Sequence, residues 1–287
     1  MSDTKRGPEP RPRRVHVVGL GASAGGIKAL QTFFSHVSPQ ATSAFVVVVH
    51  LSPDYESHLA EVLQTTASLP VTQVKGRTPI EAGHVYVVPP NKAMEVAGGH
   101  LVLKESTRAE HRRAPIDMFF RTLADSHGSH AVCIVLSGTG PNGSTGLKRV
   151  KEYGGVAIAQ DPNEAEYPDM PKNAIATGFV DCVLPVAEMP AWIESYLQRL
   201  DVDGDDRWTP TAQEEADALR DVLHILRVRT GHDFSNYQPA TLQRRIERRI
   251  SLRSVPDLVS YARLVRQEPD EAVALMRELL ISVTHFF

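Results

Sequence analysis

The stretch from Val15 to Leu30, VHVVGLGASAGGIKAL, constrains the fold more than any other part of the chain. It begins with β-branched residues that favour a buried strand, and it ends with apolar residues at helical spacing. The turn between them, Gly21-Ala22-Ser23-Ala24-Gly25, has the form G-x-S-x-G. Only small residues let a chain turn so tightly, and the serine hydroxyl then stands beside the free N–H groups of the helix start.

Three interpretations of this turn are open. G-x-S-x-G indicates a serine hydrolase, the overlapping G-x-G-x-x-A from Gly19 to Ala24 indicates dinucleotide binding, and small residues also occur in purely structural turns. Dinucleotide binding needs an acidic residue at the end of the next strand. The next predicted strand, Ala44 to Val49, is followed by His50 instead, which is what an activated serine needs. Because the carboxyl ends of adjacent parallel strands meet at one edge, we expect Ser23 and His50 to be neighbours.

Short apolar strands alternate with helical segments up to Leu200, which predicts a doubly wound, mostly parallel α/β sheet. A hairpin signal at Gly98-Gly99 interrupts the alternation. Beyond the acidic segment Asp201 to Asp206, only helical patterns occur. The expected organisation is a disordered tail at 1–14, an α/β domain at 15–200, a linker at 201–212 and a small all-α domain at 213–287.

The charge and the apolar content exclude some classes of function. A net charge of −3 with a pI near 6.5 gives no general nucleic-acid signature. No run approaches the roughly 18 apolar residues of a membrane span, and the basic, proline-rich start is not a secretory signal. The two cysteines, Cys133 and Cys182, lie in apolar runs and are expected to be reduced. We therefore expect a cytoplasmic protein that neither binds nucleic acid nor inserts into a membrane.

A serine hydrolase also needs a group that orients the histidine, usually a carboxylate. The best-placed turn follows the predicted strand Ala131 to Leu136, and it holds Asn142 in place of an acid. An asparagine can accept a hydrogen bond from the ring, but it cannot stabilise the imidazolium by charge. In a serine protease the corresponding Asp→Asn change costs about 10⁴-fold in kcat. Asp54 and Asp161, each near a strand end, are alternative orienting residues.

A second candidate site is the predicted helix Thr241 to Arg253. Its arginines recur at spacings of one and four and form one basic stripe, made of Arg244, Arg245, Arg248, Arg249 and Arg253. Guanidinium groups suit acidic side chains or phosphates, so the stripe predicts a partner-binding surface. The alternative is a solvated charged face that includes Glu247.

Several separate motifs from about Val15 to Leu200 resemble the catalytic domain of CheB chemoreceptor methylesterases. They are GASAGG (21–26), His50, LSGTGPNGSTG (136–146) and AQDPNEAEYPDMPKNAIATGFVD (159–181). The resemblance implies hydrolysis of glutamate methyl esters on receptor signalling helices, with deamidation of some glutamines. It implies Ser23 as the nucleophile and His50 as the base, while the family's aspartate falls on Asn142.

The resemblance also implies an oxyanion region, in which this sequence differs from the family at two positions. Ala24 replaces a threonine and Thr139 replaces a methionine in this region, which includes Gly140; backbone N–H groups can still donate there. The implied partner is a methylated chemoreceptor, and neither a cofactor nor a metal is implied. Two hypotheses follow: an active methylesterase with a weakened triad, or a docking module that binds without turnover.

From about Glu214 the chain resembles the N-terminal helical domain of CheR chemoreceptor methyltransferases. The motifs are TGHDFSNYQPATLQRRIERRI (230–250) and LLISVTHFF (279–287). In that family the basic helix contacts the methylation region of the receptor, and S-adenosylmethionine is bound mostly by a following α/β domain. The sequence stops at Phe287, before such a domain, so we expect a fragment or an artificially truncated chain. We expect no S-adenosylmethionine binding by the residues present. Only a short tail precedes Val15, so we expect no regulation by a phospho-receiver domain.

Overall fold

The computed structural model describes residues 15–49, 58–105, 114–201 and 211–280. The first three ranges contain strands and helices in alternation. The strands are β1 Val17–Ala22, β2 Ala44–Val49, β3 Val71–Gln73, β4 Thr78–Pro79, β5 Val85–Val87, β6 Lys92–Ala97, β7 His100–Glu105, β8 Ala131–Val135, β9 Val156–Gln160 and β10 Cys182–Leu184. The helices are α1 Gly26–Ser35, α2 Leu59–Gln64, α3 Pro115–His127, α4 Ser144–Glu152, α5 Asp169–Ala176 and α6 Met189–Asp201.

Seven strands form one parallel sheet in the order β10-β9-β8-β1-β2-β5-β3. The central strand is β1, and the strand order reverses there, with β2 on one side and β8 on the other. This confirms the predicted doubly wound α/β fold. In such sheets the crevice at the reversal point, outside the carboxyl ends of the strands, is where ligands bind.

Both faces of β1 are covered, and all six of its residues are buried. Val18, Leu20 and Ala22 pack into one core with α1 and α6, while Val17 packs into a second core with α3 and α4. A strand covered on both faces reads as a continuous apolar run, which is why VVGLGA lacks the alternation of a half-exposed strand.

The predicted hairpin is confirmed. β6 and β7 pair antiparallel on either side of Gly98-Gly99. The short strand β4, which has no apolar pattern and was not predicted, adds to the edge of β7 and completes a three-stranded sheet. This sheet packs on α3, where the Val96 N–H donates to the Thr122 hydroxyl at 3.2 Å.

The range 211–280 contains only helices, as predicted, and they are α7 Ala212–Thr230, α8 Pro239–Leu252, α9 Leu258–Gln267 and α10 Pro269–Leu280. α7 begins with a capping box, because Thr211 and Glu214 each accept a hydrogen bond from the other's backbone N–H. The four helices share a core of their own, which includes Val222, Leu226, Ile246 and Leu275. None of the helices within the described ranges is both long and apolar enough to cross a membrane.

Candidate active site

Ser23 stands at the carboxyl end of the central strand, between β1 and α1. Its N–H donates to the Ser137 carbonyl at 3.0 Å, and its own carbonyl accepts from the Gly26 N–H at 2.9 Å. Gly25 starts the helix with a φ of +69°, a left-handed conformation that favours glycine. The Ser23 hydroxyl makes no hydrogen bond with any residue that the structure describes. This is the local geometry predicted from G-x-S-x-G.

The turn after β8 lies directly against the Ser23 turn. Ser137 is 1% exposed, and its hydroxyl donates to the Ala24 carbonyl at 2.9 Å. At Gly138 a Cβ atom would lie 2.9 Å from the Ser23 Cβ and 2.1 Å from the Met170 sulfur. The two turns can therefore approach each other only because residue 138 is glycine.

The predicted oxyanion region lies on these two turns. Among the described residues, none accepts a hydrogen bond from the backbone N–H of Ala24, Thr139 or Gly140. The Gly140 carbonyl accepts from the Asn173 amide at 3.1 Å, which ties this turn to α5. Unpaired N–H groups on both sides of a serine fit an oxyanion hole, whose formation remains a prediction.

The predicted base, His50, lies outside the described residues. The register of the neighbouring strands is described up to Ala22, which is opposite Val49. Ser23 and His50 are the next residues of the two strand segments in sequence. Their pairing remains a prediction.

Asn142 lies at the end of the turn that leads from β8 to α4, where the sequence predicts it. Its side-chain oxygen accepts from the Asp117 N–H at 3.4 Å, in the first turn of α3. Asp117 is 5% exposed, and its carboxylate accepts from the Gly146 N–H at 2.7 Å. Asn142 therefore occupies the positive end of a helix, a place that would favour a carboxylate.

Of the two alternative orienting residues, the structure describes only Asp161. Asp161 closes a local turn, in which its carboxylate accepts from the Asn163 backbone and side-chain N–H groups, both at 2.9 Å. It follows β9, which is separated from β1 by β8. Asp54 lies outside the described residues.

The glycines of the dinucleotide pattern have a packing role. A Cβ at Gly19 would lie 2.8 Å from the Phe119 ring, and a Cβ at Gly21 would lie 2.4 Å from Ile116. Both contacts are with α3, which covers this face of β1. Close packing of a helix on the strand thus accounts for both glycines without a bound pyrophosphate.

The arginine stripe requires a correction, because three of its five members are not accessible. Arg245, Arg248 and Arg249 are 2%, 7% and 6% exposed. Arg248 donates to Glu278 at 2.6 Å and to Asp181 at 2.9 Å, and Arg245 donates to Glu278 at 3.2 Å. The expectation of one accessible basic face fails because α8 lies against the α/β domain.

The remaining arginines differ among themselves. Arg249 forms two hydrogen bonds with Glu271, at 2.8 and 2.5 Å, inside the helical domain. Arg253 is partly exposed and pairs with Glu268, while Arg244 is exposed. Partner binding remains a prediction for Arg244 and Arg253.

We call the buried group Lys151, Asp181, Arg245, Arg248 and Glu278 the interdomain cluster. Lys151 donates to Asp181 and, at 2.8 Å, to Glu278. The two arginines also donate to the carbonyls at the end of α4 and just after it, including those of Lys151 at 3.2 Å and Gly154 at 3.0 Å. Sequence analysis missed this cluster because its members are spread over 128 positions, from 151 to 278.

The fold and this turn define a class of protein: a doubly wound α/β domain with a glycine-flanked serine at the switch point of its sheet. Residues 18–193 match the family model described as CheB methylesterase, and residues 217–280 match that described as CheR methyltransferase, all-alpha domain. The chain belongs to the CheB methylesterase family, and a CheR-type all-alpha domain follows its CheB-type domain.

Curated relatives are similar in sequence to part of the chain. A protein-glutamate methylesterase/protein-glutamine glutaminase of Hydrogenovibrio crunogenus is 31% identical over 200 residues, which are 68% of this chain and 53% of that protein. A putative protein of the same description from Leptospira interrogans is 30% identical, over 59% of this chain and 89% of the relative. An uncharacterised 104.1 kDa protein of Rhodobacter capsulatus is 39% identical over 80% of this chain and 26% of its own length. The chain thus spans about a quarter of the Rhodobacter relative, about half of the Hydrogenovibrio relative and most of the Leptospira relative.

A solved structure confirms the fold of the α/β domain. The crystal structure of the Thermotoga maritima CheB methylesterase catalytic domain matches with a TM-score of 0.57 and 28% identity. The match covers 62% of this chain and 96% of the Thermotoga chain. The first domain therefore corresponds to nearly the whole length of the Thermotoga chain.

Proposed function

We propose that this chain hydrolyses glutamate methyl esters on chemoreceptor-type signalling helices, with Ser23 as the nucleophile and His50 as the base. One observation carries the proposal: the Ser23 hydroxyl is free of described partners on a turn whose backbone is fixed on both sides. Membership of the methylesterase family supplies the reaction class. The same site is proposed to deamidate glutamines, as the names of the relatives suggest.

In the proposed reaction the Ser23 oxygen attacks the ester carbonyl carbon while His50 accepts the hydroxyl proton. The N–H groups of Ala24 and of the 139–140 turn stabilise the oxyanion, and one such donor contributes about 10²–10³-fold to kcat. The bond to the methoxy oxygen then breaks, and His50 returns the proton, so that methanol leaves. Water attacks the glutamyl–Ser23 ester in the same way and releases the free glutamate.

Asn142 is proposed to orient His50 without stabilising its charge. Because its oxygen already accepts from the Asp117 N–H, its amide is held in place. Turnover is therefore expected to be slower than with an aspartate at this position. The missing charge motivates the second candidate, a docking module that binds the methylated receptor without turnover.

A methanol-release assay on a methylated receptor-helix peptide tests the proposal and separates the two candidates. We expect slow release by the chain as it is, and an increase of at least tenfold, up to about 10⁴-fold, in Asn142→Asp. Binding without methanol release, followed by release only in Asn142→Asp, would favour the docking module. Absence of release in both would contradict the esterase proposal.

The partner is proposed to be a methylated chemoreceptor, and the location the cytoplasm. Both cysteines are free thiols, and burial raises the pKa of Cys182 to about 12, so neither is a reactive thiolate near neutral pH.

The domain boundaries also remain proposals: an α/β domain at 15–200, a linker at 201–212 and the all-α domain from 213. S-adenosylmethionine binding is not proposed for these residues.

A further inference from the structure

We infer that Ser137 is a positioning residue, which holds the nucleophile turn and the oxyanion donors in one geometry. The inference rests on the proposed esterase function and deepens it. Ser137 does not contact the reacting atoms in this account. It acts through Ser23 and Ala24.

Every polar group of Ser137 is hydrogen-bonded, and its partners lie on three different segments. Its N–H donates to the Gln160 side chain at 2.7 Å, at the end of β9. Its carbonyl accepts from the Ser23 N–H at 3.0 Å. Its hydroxyl donates to the Ala24 carbonyl at 2.9 Å and accepts from the Tyr167 N–H at 3.0 Å. A buried side chain with this set of contacts joins the nucleophile turn, the sheet and the loop before α5.

Two of these bonds, together with one inside the turn itself, fix three successive peptide planes around the nucleophile. The bond from the Ser23 N–H fixes the Ala22–Ser23 peptide, and the hydroxyl of Ser137 fixes the Ala24–Gly25 peptide through the Ala24 carbonyl. The peptide between them is fixed by the Ser23 carbonyl, which accepts from the Gly26 N–H. Since a peptide is planar and trans, the Ala24 N–H must point away from that carbonyl. The direction of a proposed oxyanion donor is thus set by its neighbours.

The packing leaves little freedom for the turn to adjust. A Cβ at Gly25 would lie 2.8 Å from the Ser137 hydroxyl oxygen and 2.8 Å from the Glu166 Cβ. Gly138 continues the contact, because its N–H donates to the Tyr167 carbonyl at 2.9 Å and its carbonyl accepts from the Met170 N–H at 3.0 Å. Loss of the Ser137 hydroxyl would release the Ala24–Gly25 peptide and the Tyr167 N–H together. A displacement of about 1 Å in a catalytic group can cost about 100-fold in rate.

The test compares Ser137→Ala with Ser137→Thr, which keeps the hydroxyl, and with Ser43→Ala. Ser43 is a matched control, because it is also buried, 6% exposed, but lies just before β2 at the opposite edge of the sheet. Each variant is titrated with a fluorophosphonate, which labels competent active-site serines, and kcat and KM for a methylated peptide are expressed per titrated site. Ser137→Cys, of similar volume, replaces Ser137→Ala if that variant does not fold.

We expect Ser137→Ala to lower kcat per titrated site by about 10- to 100-fold with KM unchanged, and Ser137→Thr to recover most of the loss. Ser43→Ala should match the wild type. A kcat per site within twofold of the wild type in Ser137→Ala, or an equal loss in Ser43→Ala, would overturn the inference. If the wild type releases no methanol, the esterase proposal fails by itself, and the rate of fluorophosphonate labelling then compares Ser137→Ala with the wild type. Equal labelling rates, or no labelling of the wild type, would overturn the positioning role as well.

Discussion

At the scale of single residues, the central strand shows how the site depends on missing side chains. Gly19 and Gly21 let α3 lie against β1, and Gly138 lets the turn after β8 reach the Ser23 turn. Each of these positions lacks room for a methyl group. The geometry around Ser23 is therefore set as much by close approach of backbone segments as by the catalytic side chains.

Gly21→Ala is expected to destabilise the protein by about 1–3 kcal/mol, because its new Cβ would overlap the Ile116 side chain. Gly76→Ala is the matched control, since no atom lies within 4 Å of a Cβ built there. Denaturant unfolding of both variants measures the difference. Equal unfolding midpoints would show that α3 does not pack on β1 as described.

Tyr167 is expected to contribute to substrate binding. Its backbone is held by Ser137 and Gly138, the residue is 41% exposed, and its ring passes close to Gly25, beside the nucleophile. Tyr167→Ala should raise KM for a methylated receptor helix several-fold, because an aromatic contact of this kind is worth about 0.5–1.5 kcal/mol. Steady-state kinetics on the peptide and on a small methyl ester check this, and a change equal for both substrates would speak against a helix-binding role.

At the scale of elements, α8 illustrates what a sequence pattern leaves open. The sequence correctly predicts a helix that carries the arginine stripe, but the arginine pattern alone does not show which groups the guanidinium side chains contact. The carboxylate partners of Arg248 are Asp181, which immediately precedes β10, and Glu278, which lies on α10. Two of the arginines that the pattern offers to a receptor, Arg245 and Arg248, instead hold the two domains together.

The contacts within the interdomain cluster account for the directions in which the pKa values of its members shift. Burial alone would raise the pKa of Glu278, but Arg248 and Lys151 outweigh it, so the pKa lies well below the usual range. The pKa of Lys151 is lowered instead, because burial and repulsion from Arg248 outweigh the two carboxylates. Three cations and two anions share this cluster, which accounts for the difference.

Glu278→Gln is expected to destabilise the protein by about 3–5 kcal/mol, because it leaves Lys151, Arg245 and Arg248 with one buried carboxylate. Asp217→Asn, which breaks an exposed pair with Arg220, is the control and should cost about 0–1 kcal/mol. Thermal or denaturant unfolding of both variants measures the contrast. A cost for Glu278→Gln as small as that of the control would contradict the buried cluster.

The same carboxylates predict a pH dependence. The pKa values of Glu278 and Asp181 are lower in the folded chain than in the unfolded chain. At a pH between the two pKa values of such a group, the unfolded state therefore binds more protons than the folded state. Their stabilisation is therefore complete above about pH 5 and is lost as the pH falls through the lowered folded values. Unfolding free energies measured from pH 6 to pH 3 should fall steeply in the wild type and less steeply in Glu278→Gln. Parallel curves for the two proteins would contradict this assignment.

At the scale of the whole molecule, the order of strands and helices could be predicted because each element carries its own period and its own turn residues. Ser23 could be placed for the same reason, since G-x-S-x-G is a local signal. Ser137 could not, because a turn serine looks alike whether it faces solvent or joins three segments. The only available signal was its position at the end of the strand next to β1. The contact between the two domains also could not be predicted from the sequence, because it depends on residues that are distant in sequence.

The two domains are joined through α4, the helix that follows the Asn142 turn. The CheB-type domain brings the proposed nucleophile to the sheet edge, and α4 runs from the Asn142 turn to the carbonyls that Arg245 and Arg248 bind. The helical domain is thus attached to the element that carries a proposed triad member. This arrangement distinguishes the chain from a catalytic domain alone, such as that of the Thermotoga structure.

The rate of methanol release by Ser23→Ala, relative to the wild type, tests the central claim most directly. The account predicts that the wild type releases methanol from a methylated receptor helix and that Ser23→Ala, folded and equally stable, releases none above the uncatalysed background. Release by Ser23→Ala at the wild-type rate would contradict it, because the nucleophile would then have to lie elsewhere.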